Sequence, residues 1–256
     1  MCTAHDDAMA SDWLGQVIKP DKVNIICFPF AGGNSASFAG LSGLFGDAYH
    51  LVPLEFPGRD SRRHEAFYTD FKTAANAMSQ AILPAIKQHR IMLYGHSMGA
   101  WFAWYIAKQL AKEACPPELL AIGAQRAPSE LYPFKPNALM DDREMINYLN
   151  RFESFAGMKV SMSILKQWIL PVIRADLALC ETHNACQQYY PHPALVLGAT
   201  EDTFIEETSL QAWRQHLPPS TPLKTIKAGH FFIRSHSAWV AEQIQHAHER
   251  AIEANA

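Results

Sequence analysis

Residues 88–110 read QHRIMLYGHSMGAWFAWYIAKQL. Ile91 to Tyr94 is a short apolar run of strand character. Gly95-His96-Ser97-Met98-Gly99 then fits Gly-x-Ser-x-Gly, and Ala100 to Leu110 continues with helix-forming residues. A serine on a sharp strand-to-helix turn holds its hydroxyl out of the sheet, on a backbone that only closely flanking glycines permit. The helix start also leaves unpaired N–H groups beside any negative charge that develops there. A lone pentapeptide of this kind is a common accident. Strand, elbow and helix in the required order are not, and Ser97 reads as a nucleophile.

Working outward, short aliphatic and β-branched runs recur with helix-like stretches between them, the pattern of a mainly parallel sheet buried on both faces. The expected strands are Gln16–Ile18, Val23–Phe28, Leu51–Leu54, Ile91–Tyr94, Leu119–Ala124, Ala194–Gly198 and Leu223–Lys227. Helices are expected over Phe71–Lys87, Ala100–Lys112, Leu210–Gln215 and Ala238–Ile252. The fold class is therefore α/β, about seven strands flanked by helices, in a single domain over 1–256. The rhythm breaks once, over about 127–190, too long for one crossover. Amphipathic pieces at Asp142–Phe152 and Ile164–Cys180 lie there, broken by Pro128, Pro133, Pro136 and Pro171. Phe152, Phe155, Met158, Met162, Ile164, Leu165 and Trp168 supply more apolar surface than a plain crossover needs, so this insertion reads as a helical lid.

A serine hydroxyl needs a base, and in such a sheet the order is Ser, then Asp or Glu, then His. His230, in Lys227-Ala228-Gly229-His230-Phe231-Phe232, sits in a loop closely following an expected strand, and the phenylalanines can anchor it. His236 is a weaker alternative; His246 and His248 read as solvent-facing on a polar helix. Asp202, just past the strand at 194–198, can orient the histidine and stabilise its charged form. Asp176 also precedes His230, but inside the expected lid helix. Two backbone N–H groups should meet the developing oxyanion. One comes from Met98; the other from Pro29-Phe30-Ala31-Gly32-Gly33, where Ala31 is the expected donor and Phe30 the next choice. The Gly-Gly pair lacks the spacing and the Lys-Ser/Thr ending of a phosphate loop. Phe30 and Phe231 are expected to contact substrate.

A charge of −3 gives no reason to expect nucleic acid, and 48% apolar with 18% charged residues describes an ordinary globule. No stretch approaches the roughly 20 apolar residues of a membrane span, and Met1 to Asp12 lacks the apolar core of a signal peptide. Five cysteines without a C-x-x-C pair argue against a disulfide framework or a zinc site, and Cys27 reads as a small buried hydrophobe. No metal or organic cofactor is expected, and the compartment is expected to be the cytoplasm. Arg59, Arg62 and Arg63 follow the turn at Pro57-Gly58; they could contact an anion or pair locally with Asp60 and Glu65.

Cys27-Phe28-Pro29-Phe30-Ala31-Gly32-Gly33, Pro57-Gly58-Arg59, Gly95-His96-Ser97-Met98-Gly99-Ala100, Arg174-Ala175-Asp176 and Gly229-His230-Phe231-Phe232 together resemble the motifs of type II thioesterases. These are stand-alone α/β-hydrolases that accompany non-ribosomal peptide and polyketide synthases. The resemblance runs from about residue 23 to about 245. It implies an α/β-hydrolase fold in which Ser97, Asp202 and His230 form the triad. It further implies hydrolysis of acyl or aminoacyl thioesters on the phosphopantetheine arm of carrier proteins, by a monomer. Carrier proteins tend to be acidic, so a basic patch is expected, with Arg59, Arg62, Arg63, Lys159, Lys166 and Arg174 as candidates. The rival readings are a small-molecule carboxylesterase or lipase of the same fold, and a hydrolase-fold binding module without turnover.

Overall fold

The computed structural model describes residues 12–132, 136–150 and 161–255. Within them six strands form one parallel sheet: β1 (Val23–Phe28), β2 (Tyr49–Pro53), β3 (Ile91–His96), β4 (Leu119–Gly123), β5 (Ala194–Ala199) and β6 (Leu223–Ile226). Their order across the sheet is β2-β1-β3-β4-β5-β6. The main helices are α1 (Phe71–Ile86), α2 (Met98–Lys112), α3 (Asp142–Leu149), α4 (Leu170–Thr182), α5 (Glu207–Gln211) and α6 (Ser237–Asn255). None is long and apolar enough to cross a membrane among the described residues.

β1, β3, β4 and β5 are buried along their whole length, as near-continuous aliphatic runs must be when helices cover both faces. Alternation of side chains along each strand divides the core in two. Ile26, Phe28, Leu93, Ile122 and Val196 pack on one side with α1 and α2. Ile25, Cys27, Tyr94, Leu195 and Leu197 pack on the other with Val240, Ala241 and Ile244 of α6. Cys27 is the buried hydrophobe its neighbours suggested, with burial pushing its thiol pKa up.

Two expectations need correction. Gln16–Ile18 is not a strand. Val17 is 85% exposed, and the chain contacts the sheet instead through a single antiparallel bridge from Leu14 to Leu54. The Asn24 amide draws Lys19 and Lys22 into a turn right after this stretch, which leaves no length for pairing. The second correction is His248, which is buried. It accepts from the Tyr49 hydroxyl at 3.0 Å and donates to Glu118 at 2.6 Å, fixing α6 to the sheet. Reading α6 as a polar helix overlooked the half-buried Glu118 carboxylate, which makes a buried imidazole welcome.

The break between β4 and β5 is helical. A short helix at Pro136–Leu139 precedes α3, whose start is closed by reciprocal bonds between Asp141 and Glu144. Met162–Ile164 leads into a π-helical turn, Leu165–Ile169, and then α4. Pro171 lies in the first turn of α4, and its missing N–H removes a bond that would hold the preceding turn in α geometry. α3 and α4 pack through Met145, Leu149, Leu170, Ile173 and Leu177. Of the apolar residues expected in this insertion, Phe152, Phe155 and Met158 lie outside the described residues. Met162, Ile164 and Trp168 are exposed, and Leu165 packs against the α3–α4 cluster.

The elbow is where the packing is tightest. A methyl group on Gly99 would stand 2.0 Å from the Phe28 carbonyl oxygen and 2.7 Å from that of Pro29. Both are backbone atoms of β1 and its exit, so neither can retreat. Gly99→Ala is expected to cost about 3 kcal/mol or more, whereas Gly46→Ala, with nothing within 4 Å, should stay within about 0.5 kcal/mol; urea unfolding measures both. A second expectation concerns acid. Burial opposes ionisation of Glu118, but its bonds from His248 and Arg90 prevail and hold its pKa at about 2, against an ordinary value of 4.5. The stabilisation is thus in place above about pH 4.5 and is lost as pH falls toward 2. Glu118→Gln should flatten the fall in Tm over that window.

Candidate active site

Three loops at the C-terminal ends of β3, β5 and β6 converge on one point. Ser97, between β3 and α2, has φ 52° and ψ −125°, and its N–H donates to the Gly123 carbonyl at 2.8 Å. The Ser97 hydroxyl donates to His230 Nε2 at 2.9 Å, and His230 Nδ1 donates to Asp202 Oδ2 at 2.8 Å. The side chains of His230 and Asp202 are 9% and 1% exposed. Burial alone would raise the Asp202 pKa. The hydrogen bond and charge of His230, with N–H donors from Phe204 at 2.8 Å and Ile205 at 3.2 Å, outweigh it and hold the carboxyl below its ordinary value.

A second histidine supports the first. His96 is fully buried beneath the site, and its Nε2 donates to the His230 carbonyl at 2.8 Å. A carbonyl can only accept, so Nε2 carries the proton and Nδ1 accepts from the Tyr94 hydroxyl at 3.0 Å. Burial, then the nearby charge of His230, lower the His96 pKa to about 3. This imidazole is neutral and of one tautomer throughout the neutral range. The second residue of the Gly-x-Ser-x-Gly stretch carried no role in the sequence reading; a buried imidazole at that place is visible only once β6 is laid beside β5.

The loop after β1 closes on itself where Gly33 N donates to the Phe30 carbonyl at 2.8 Å. Gly32 N donates to Asp176 Oδ2 at 2.8 Å, and Arg59 Nη1 donates to the Gly33 carbonyl at 2.8 Å. Arg59 and Asp176 also form a two-pronged ion pair at 2.7 and 2.6 Å. Among the described residues, the N–H groups of Ala31 and Met98 have no acceptor. Both residues adjoin Ser97, Ala31 through the shared cavity and Met98 through the chain.

That cavity holds about 480 Å³ and opens over Ser97 and His230. Phe30 and Phe231 meet edge to face at 5.0 Å in its wall. Tyr148 and Leu149 of α3 and Ile173 and Leu177 of α4 supply another wall, so the insertion contributes directly to it. Gln125, Arg126, Glu206 and Ser209 bring polarity to one part. Arg126 Nη2 donates to the Phe204 carbonyl at 2.9 Å, which ties this wall to the loop of Asp202. Trp101, after the elbow, is core: it stacks on His183 at 3.9 Å and donates to the Arg126 carbonyl. Among the described residues no group of three His, Cys, Asp or Glu is placed to hold a metal ion.

The expected basic patch does not assemble from its candidates. Arg59 and Arg62 are buried, the latter paired with Glu65 and stacked on Trp13. Arg174 and Lys166 both turn to Asp142. Arg63 is exposed, and Lys159 lies outside the described residues. Carboxylates within reach consume most of these charges. Arg59 is also not paired with Asp60, as its neighbourhood in sequence suggests, but with Asp176, 117 positions away.

Residues 23–248 match the model of the thioesterase domain family. A probable cadicidin biosynthesis thioesterase of Streptomyces griseus is 29% identical over 96% of this chain and 68% of its own length. The thioesterase PikA5 of Streptomyces venezuelae is 26% identical over 82% of this chain and 75% of its own. Among solved structures, the type II thioesterase BorB from the borrelidin biosynthetic cluster superposes with a TM-score of 0.80 at 25% identity, covering 92% of this chain and 97% of BorB. The class that the sequence motifs resemble is thus the class of these relatives. The family match takes in every strand of the sheet together with Ser97, Asp202 and His230, and the chain belongs to the thioesterase domain family.

Proposed function

We propose that this chain is a serine thioesterase that removes acyl or aminoacyl groups from the phosphopantetheine arm of carrier-protein domains, unblocking a non-ribosomal peptide or polyketide synthase. One observation carries the chemistry: the Ser97 hydroxyl is bonded to His230, and His230 to a charged Asp202, at the mouth of a largely apolar cavity. The relatives named as biosynthesis thioesterases support the substrate class.

In this reading His230 Nε2 takes the Ser97 proton as Oγ attacks the thioester carbonyl. Asp202 keeps Nδ1 protonated and stabilises the imidazolium. The negative oxygen is met by the N–H groups of Ala31 and Met98, which have no other acceptor among the described residues. The carbon–sulfur bond then breaks and His230 returns the proton to the departing pantetheine thiol. Water, deprotonated by the same imidazole, attacks the acyl-serine and releases the acid, and Ser97 recovers its proton. The Phe30–Phe231 pair stands where the arm would enter, and the α3–α4 insertion acts as a lid over the acyl group. The partner is a phosphopantetheinylated carrier domain, met by a monomer in the cytoplasm.

Acyl-carrier thioesters should be hydrolysed with a far higher kcat/KM than a matched p-nitrophenyl ester; the reverse preference would make the protein a small-molecule esterase. Ser97→Ala should abolish turnover while leaving Tm and carrier binding in place. Asp202→Asn should lower kcat by roughly 10⁴ through loss of the correct tautomer. Unchanged turnover in either variant removes the triad from the mechanism.

A further inference from the structure

Pro57-Gly58-Arg59 and Arg174-Ala175-Asp176 take no direct part in the chemistry above, yet they meet at its edge. Arg59 and Asp176 are 6% and 1% exposed. A buried ion pair is weak evidence of a stabilising device, since apolar residues of similar volume often serve stability as well or better. The guanidinium is moreover left with Nε buried and unpartnered among the described residues. What the two charges do achieve is to grip two consecutive glycines of the loop after β1. Asp176 accepts from Gly32 N and Arg59 donates to the Gly33 carbonyl, each at 2.8 Å.

Resting on the proposed role of Ala31, we infer that Arg59 and Asp176 are positioning residues that aim its N–H at the oxyanion. The Phe30 carbonyl and the Ala31 N–H belong to one planar trans peptide and point in opposite directions. The bond from Gly33 N to the Phe30 carbonyl, 2.8 Å long, therefore fixes the direction of the Ala31 N–H. Gly33 is in turn held by Arg59 and Gly32 by Asp176. Gly32 has φ +77°, and a methyl there would press on Ile173 Cγ1 at 3.0 Å, so the loop sits on α4 without slack. Orientation passes from the ion pair through two glycine peptides to a single donor. Because Asp176 belongs to α4, the same helix that walls the cavity also sets the oxyanion donor.

The test separates aim from stability. In Arg59→Met/Asp176→Leu the pair is replaced by apolar groups of similar volume, so Tm should lie near wild type while both loop bonds are lost. KM for an acyl-N-acetylcysteamine thioester should change little. The kcat should fall by about 10²–10³, the usual cost of one oxyanion donor. Affinity for an alkyl boronic acid, which forms a tetrahedral adduct on the serine, should weaken by the same factor. Recovery of wild-type kcat together with wild-type Tm would overturn the inference. Should the double variant not fold, Arg59→Lys decides: its single-point ammonium cannot replace the fork, and kcat should drop by about tenfold or more at unchanged KM. Wild-type kcat there likewise overturns it. Failure of the thioesterase reading looks different, since the wild type itself would then prefer the matched p-nitrophenyl ester or, without a reactive serine, bind no boronate at all.

Discussion

Ser97 holds φ 52° and ψ −125°, a backbone state that costs an L-residue of order 1–3 kcal/mol and persists only where its surroundings impose it. The imposing groups are identifiable. Its N–H is fixed to Gly123 of β4, and its carbonyl accepts from Ala100 N at the start of α2. Relaxing the turn would mean lifting α2 from the sheet. Gly99 lies against the Phe28 carbonyl so closely that no side chain fits between them. The strain thus obliges β1 and β3 to be neighbours and α2 to lie across both. In return, the hydroxyl stands above the sheet edge where the loops after β1, β5 and β6 can reach it.

Two imidazoles lie close together under these loops, and the fold separates their roles. His96 and His230 have ring centres 5.8 Å apart. Were both to carry a proton, they would repel each other in a poorly solvated space. Burial settles this by holding the His96 pKa near 3, so only His230 faces a carboxylate. Asp202 answers with a charge kept in place by two backbone N–H donors and the imidazole itself. The neutral partner then serves as a strut: its Nε2 proton supports the His230 carbonyl. Tyr94 is likewise a donor there, which fixes the tautomer from below.

How much of this was legible in the sequence follows from the range over which each signal acts. Ser97, Asp202 and His230 were readable because each sits just after a strand, and strands buried on both faces announce themselves as aliphatic runs. The parallel sheet was legible for the same reason, apart from Gln16–Ile18, where a short apolar alternation had no partner strand to join. Asp176 and Arg59 stood out as parts of two motifs shared with type II thioesterases, one a carboxylate within a helix and the other one of three clustered arginines. Nothing local says that they pair, because the contact depends on the path of the insertion. His248 misled in the opposite direction: a histidine among polar residues on a terminal helix looks solvated until Glu118 and Tyr49 are brought beneath it.

The site therefore divides its labour by element. The side chains of Ser97, His230 and Asp202 are held just past strand ends, where parallel hydrogen bonding fixes the backbone and distances of 2.8–2.9 Å are maintained. Part of the cavity wall comes from α3 and α4, which share a small core through Met145, Leu149, Ile173 and Leu177, while Leu179 and Cys180 of α4 belong to the main core beside α1 and α2. α4 is held to the body by the bond from Phe71 N to Thr182 and by its residues in the main core, and to the loop after β1 by the grip of Asp176 on Gly32 and Arg59. That grip joins the insertion to the backbone beside Ser97, so a change in the packing of α4 reaches Gly32 and Gly33 through a buried ion pair.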